Sequence, residues 1–226
     1  MSLVYLVRHA QASFGAQCYD QLSDLGRQQA RWLGEYFAAR GLRFTKVLAG
    51  TLARQQDTAR EVIAAMTGGE AQAPLVHAGL DEYPGEALYA AWTGMNDPRP
   101  QQRLDQREYW RTFRAAMQAW ADDRLSGVPE SWAAFGARVH EAVSEAVRGT
   151  GRDDAILVVS SGGVIGRLVA DVAGAPARTA IELNLQCRNS GFCELIAGGG
   201  SLRLLSFNNI PHLEAPPQRR QAITFA

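Results

Sequence analysis

An α/β sandwich built on a mostly parallel sheet is the fold that the sequence predicts, from three observations. Short apolar runs alternate with segments of helical period, the pattern of strands joined by crossover helices. Ala155-Ile156-Leu157-Val158-Val159 is apolar throughout, as a strand covered on both faces must be. Residues 191–197 and 202–207 flank Gly198-Gly199-Gly200, the arrangement of a hairpin, which gives the sheet an antiparallel edge strand. The expected layering is three-layer α/β/α.

The elements follow in order. Residues 3–7 form the first strand. Ser23 is a cap for a helix whose apolar face carries Leu25, Trp32, Leu33, Tyr36 and Phe37, and Gly41 stops it. Residues 46–49 read as a strand and 52–66 as a helix closed by Gly68-Gly69. Residues 75–77 are a weak third strand. The stretch 84–129 is irregular, holds Pro84, Pro98, Pro100 and Pro129, and has a helical middle at 108–120. It reads as an insertion within a single domain spanning 1–226. Residues 131–147 are a helix with Trp132, Phe135, Val139 and Val143 on one side; 164–172 are a helix ended by Gly174. The tail after His212 is polar and contains proline, and is expected to be loosely held.

Composition narrows the class. The 226 residues are 46% hydrophobic, with a formal net charge of zero. No basic stretch interleaved with aromatics is present, which argues against nucleic acid as a partner. No apolar run approaches the roughly 20 residues of a membrane span, and the start lacks the form of a signal peptide. Cys18, Cys187 and Cys193 have no metal-ligand spacing and read as reduced thiols. A soluble cytoplasmic protein is the expectation. An exposed hairpin edge would suit a homodimer.

In open α/β sheets, ligands bind beyond the carboxyl ends of the strands. That rule alone selects residues. The first strand delivers Arg8 and His9, the second the turn 50–54 with Arg54. The third is followed by Glu82, with Asp81 and Glu86 as rivals. The strand 155–159 delivers Ser160-Ser161-Gly162-Gly163 and then a helix. Guanidinium forks match pairs of phosphate oxygens, and a helix N-terminus offers free N–H groups to an anion. A phosphate site is the reading, with Arg8, Arg54, Ser161, Gly162, Gln11 and Ser13 as its binding candidates. His77 and His140 read as structural.

Several segments carry a family likeness. They are Val7-Arg8-His9 after a strand, Leu22-Ser23-Asp24-Leu25-Gly26 with Gln29-Ala30, and residues 51–59 around Arg54. Leu80-Asp81-Glu82, Glu130-Ser131-Trp132 with Phe135, Arg138 and Val139, and Asn189-Ser190 complete the set. In this order the chain resembles the histidine phosphatase (phosphoglycerate mutase-like) superfamily, over most of its length except 84–129. The resemblance implies a phosphomonoesterase for a small phosphorylated substrate. His9 would attack phosphorus to form a phosphohistidine, Arg8 and Arg54 would hold the oxygens, and Glu82 would be the general acid. No metal or other cofactor is implied, because the arginines supply the positive charge.

Two positions depart from the family pattern. Ser161 stands where a second histidine is usual, and Ala10 replaces a glycine. A serine hydroxyl donates a hydrogen bond but carries no charge. The expected deficit is roughly 10- to 100-fold in rate, which Ser161→His should restore. His212 is a candidate for compensation. The loss also keeps open a non-catalytic phospholigand-binding or scaffold protein of the same fold. A phosphoglycerate mutase is the weaker alternative, because Tyr83-Pro84-Gly85 replaces an aromatic-rich motif.

Overall fold

The computed structural model describes residues 1–13, 20–69, 73–95 and 105–225. Cys18, Pro98 and Pro100 lie outside the described residues. The strands are β1 (Ser2–Arg8), β2 (Phe44–Ala49), β3 (Leu75–Val76), β4 (Ala155–Ser160), β5 (Phe192–Gly198) and β6 (Ser201–Asn209). They form one sheet in the order β3-β2-β4-β1-β5-β6. The first four in that order run parallel, β5 is antiparallel to β1, and β6 is antiparallel to β5. The mostly parallel sheet is as expected. Its antiparallel edge is a whole hairpin, whose Gly199 and Gly200 have φ of 61° and 77°. Two successive positive φ values are what a tight hairpin turn needs, and glycine adopts them without strain.

Helices cover both faces. They are α1 (Asp24–Ala39), α2 (Ala53–Thr67), α3 (Gly85–Thr93), α4 (Gln106–Ala121), α5 (Trp132–Val147), α6 (Gly162–Val172), α7 (Ala177–Gln186) and α8 (Pro211–Glu214). The continuous apolar run of β4 is explained by the pleat, which sends alternate side chains to opposite faces. Leu157 and Val159 pack with Leu33 and Phe37 of α1 and Val62 of α2. Ile156 and Val158 pack with Phe135 and Val139 of α5 and Leu168 of α6.

Helices α3 and α4 arise from the stretch read as irregular. Their Leu88, Phe113, Met117 and Trp120 join the same buried cluster as Ile156, and the Trp120 indole N–H donates to the Glu130 carbonyl at 2.8 Å. Nine residues starting at a glycine after Pro84 give too short a pattern for periodicity to detect. Helix α7, which starts directly after Pro176, escaped for the same reason.

The tail is held firmly, contrary to the expectation from its polarity. His212 and Leu213 are buried. Gln29, fully buried on α1, donates through Nε2 to the Ala222 carbonyl at 2.7 Å and to Thr224 Oγ1 at 3.0 Å. Thr224 Oγ1 donates in turn to Asn189 Oδ1 at 2.9 Å, and the Asn189 N–H donates to the Thr224 carbonyl at 2.9 Å. Arg219 lies over the Trp32 ring, 4.5 Å from its centroid. Polar composition here serves buried hydrogen bonds rather than solvation. Thr224→Val should therefore cost about 1–2 kcal/mol by leaving Gln29 and Asn189 short of a partner. In urea titration the midpoint should fall at constant slope; an unmoved midpoint would show that the strap contributes nothing.

Candidate active site

Three parallel strands end at one level. Arg8 pairs with Ser160, and Ala49 pairs with Val159. The ladder continues one residue past β1, where the His9 N–H donates to the Ser160 carbonyl at 2.8 Å. This brings His9, the turn before α2 and the start of α6 to the same edge.

His9 is 5% exposed. Its Nδ1 lies 2.8 Å from the Ala10 carbonyl, which can only accept, so Nδ1 carries the hydrogen and Nε2 carries the lone pair. That lone pair accepts from Arg54 Nε at 3.2 Å. The backbone behind the ring is pinned as well, since the His9 carbonyl accepts from Asn189 Nδ2 and the Ser190 N–H, each at 3.3 Å. Burial first, then the charges of Arg54 and Arg8, hold the imidazole pKa well below its ordinary value. The ring is thus a neutral base with its reactive nitrogen directed at a guanidinium.

Arg54 is the second residue of α2. It forms an ion pair with Asp20, 2.7 Å from Nη1 to Oδ1. Asp20 also accepts from the Ala53 N–H at 2.8 Å, so it caps α2 from the loop before α1. Sequence reading missed Asp20, which sits in a stretch without periodicity. Arg8 donates through Nη1 to the Cys187 carbonyl. Its buried Nε has no partner among the described residues, leaving a donor that a bound anion can use.

The structure separates the three candidate carboxylates. Glu82 accepts from the Gly163 N–H at 3.1 Å and the Tyr83 N–H at 3.2 Å, which sets it at the N-terminus of α6. Asp81 instead ties down the turn after β2, accepting from the Thr51 N–H and hydroxyl, each at 2.6 Å. Glu86 is exposed on α3. Gly163 is a close-approach glycine: a Cβ there would lie 2.2 Å from Glu82 Oε1. Desolvation raises the Glu82 pKa, and it prevails over the two N–H donors and the charges of Arg54 and Arg8.

The remaining candidates are placed as follows. Ser161 and Gly162 are buried at the start of α6, one and two residues beyond the Ser160 that pairs with Arg8. Gln11 serves the entry to α1: its N–H donates to Gln29 Oε1 at 2.9 Å and its Oε1 accepts from Ser23 Oγ at 2.8 Å. The Ser13 N–H donates to the Gln21 carbonyl at 2.7 Å. Both line an open pocket with Leu22 and Ser23. Among the described residues, no hydrogen bond is printed between either side chain and His9, Arg8 or Arg54. His212 stands behind the nucleophile, with Nε2 2.8 Å from Ser190 Oγ. Burial lowers its pKa to about 3, so it remains neutral. His77 and His140 pair with Glu145 and Asp171 away from this edge. Burial pushes the Cys187 thiol up to about 12, which makes it unreactive. Among the described residues, no cluster of three or more His, Cys, Asp or Glu is placed to hold a metal ion, and no helix is long and apolar enough to cross a membrane.

A neutral buried histidine, two arginines and a shielded carboxyl at the carboxyl ends of a parallel sheet define a site for a phosphoryl group. Comparison with known proteins agrees. The model of the histidine phosphatase superfamily (branch 1) matches residues 4–210, so the chain belongs to that superfamily. Solved structures share the fold at low identity. YhfR of Bacillus stearothermophilus is 19% identical with a TM-score of 0.69, covering 95% of this chain and 100% of that one. A phosphoserine phosphatase variant of Entamoeba histolytica, crystallised with phosphoserine, is 18% identical with a TM-score of 0.65, covering 94% and 100%. A mycobacterial glucosyl-3-phosphoglycerate phosphatase is 23% identical with a TM-score of 0.63, covering 91% and 98%. No curated protein sequence matches the chain.

Proposed function

We propose that the protein is a phosphomonoesterase that works through a phosphohistidine on His9 and acts on a small phosphorylated metabolite. One observation carries this reading: the His9 Nε2 lone pair is neutral, buried and 3.2 Å from the Arg54 guanidinium. A nucleophile in that setting meets a phosphoryl group already neutralised by the arginines. In the first step the His9 Nε2–P bond forms and the ester P–O bond breaks, while Glu82 gives its proton to the departing oxygen. In the second step water attacks phosphorus, the N–P bond breaks, and Glu82 takes the water proton. Arg8 and Arg54 hold the equatorial oxygens in both steps. The positive charge comes from the protein, so turnover should persist in the presence of a chelator.

The two pKa shifts fix the sign of the pH dependence. His9 must be unprotonated, and its lowered pKa keeps it so below about pH 6.5. Glu82 must be protonated at the start, and its raised pKa extends that state above about pH 4.5. Hydrolysis of an alkyl phosphate in chelator should be fastest at mildly acid pH and decline as Glu82 ionises. Glu82→Gln should lower kcat by roughly 100- to 10,000-fold and abolish the declining limb. The loss should be smaller for an aryl phosphate, whose leaving group needs less help from an acid. A wild-type-like profile in Glu82→Gln would remove Glu82 from this role. The rival reading, a phospholigand-binding protein without turnover, draws on the uncharged Ser161 and expects phosphate affinity with no hydrolysis.

A further inference from the structure

Ser161 stands at the N-cap of α6 yet makes no side-chain cap bond, the usual use of a serine there. Its oxygen instead accepts from Gln55 Nε2 at 2.8 Å. The second hydrogen of that amide goes to the Leu80 carbonyl at 3.1 Å. A carbonyl can only accept, so the orientation of the Gln55 amide is settled by Leu80. Leu80 also accepts from Ser160 Oγ at 2.6 Å, which fills its second lone pair. Ser161 Oγ is therefore an acceptor toward Gln55, and its own proton has no acceptor among the described residues. Gln55 and Ser161 are both fully buried, and Gln55 Oε1 is buried without a partner. An enclosed amide that leaves one of its own atoms unsatisfied is costly. Such a group persists where it serves a site.

We infer that Gln55 is a positioning residue that turns the Ser161 hydroxyl into a hydrogen-bond donor for the phosphoryl group attacked by His9. The inference rests on the phosphatase reading above. Two neutral side chains then fill the space in which related enzymes are expected to carry a second histidine. A consequence is that an imidazole at position 161 has no room while Gln55 is present. Ser161→His alone should not restore a missing charge, contrary to the expectation from sequence.

The test compares Ser161→Ala, Gln55→Leu, their double variant, Ser161→His, and Ser161→His with Gln55→Ala. Readouts are kcat and KM on an aryl phosphate and the Kd for inorganic phosphate. Ser161→Ala and Gln55→Leu should each lower kcat and weaken phosphate binding by about tenfold, the worth of one neutral hydrogen bond. The double variant should be no worse than Ser161→Ala, because the amide acts only through the hydroxyl. Ser161→His should stay at or below wild type, and adding Gln55→Ala should raise it by about tenfold or more. Three results would overturn the inference: wild-type kcat and phosphate Kd in Ser161→Ala, additive losses in the double variant, or full gain in Ser161→His alone. If the wild type shows no His9-dependent turnover, the phosphatase reading fails. The phosphate Kd values still decide whether the hydroxyl meets the anion.

Discussion

His9→Ala should abolish hydrolysis of an aryl phosphate, with kcat lower by about ten-thousand-fold or more. The methyl group cannot form the N–P bond, and nothing else on the strand ends supplies a comparable nucleophile. Ser161 is the nearest hydroxyl in chain order past β4, but its oxygen is occupied by Gln55, and no base is recorded against its proton. Binding should survive the change. Arg8 and Arg54 sit on separate elements, β1 and α2, and Arg54 retains its ion pair with Asp20. Removing the imbedded ring also removes a group that must stay neutral when buried. Phosphate affinity within a few-fold of wild type, with turnover gone, is the expected combination. Both quantities lost together would point to collapse of the site rather than loss of a nucleophile.

Arg54→Ala should lower kcat by about a thousand-fold or more, the scale of a single guanidinium at a phosphoryl-transfer site. Arg54→Lys should recover little, because one ammonium cannot hold two equatorial oxygens in a fixed plane. A second signature separates this from general damage. Arg54 is the leading charge that depresses the His9 pKa. Its removal should raise that pKa, so the acid limb of the rate profile should move to higher pH in Arg54→Ala and not in Arg54→Lys. Asp20 loses its partner but is partly exposed, so the cost in stability should be small. An acid limb that stays in place in Arg54→Ala would break the electrostatic link between the two residues.

Much of this arrangement was legible in the chain. The apolar run of β4 and the glycine-bounded hairpin fixed the sheet type. The rule that parallel strands deliver ligands at their carboxyl ends picked Arg8, His9, Arg54, Glu82 and Ser161 together. What escaped shares a physical cause. Asp20 reaches Arg54 from a loop, where no period marks it. Gln55 follows Arg54 on α2 and looks like a solvent-facing polar residue; only the packing of Leu80 and Ser161 over the helix start buries it. The tail looked solvated because polarity does not reveal whether Thr224 will meet water or Gln29. Local pattern predicts elements well, but it does not say which polar group from a distant segment will close over them.

The most direct test of the account is a single-turnover quench with an aryl phosphate labelled in its phosphoryl group. The account predicts that label appears on the peptide carrying His9 before free phosphate is released, as an acid-labile and base-stable adduct, and that it is missing from His9→Ala. Release of labelled phosphate by the wild type with no label on His9 at any time, or undiminished release by His9→Ala, would contradict it.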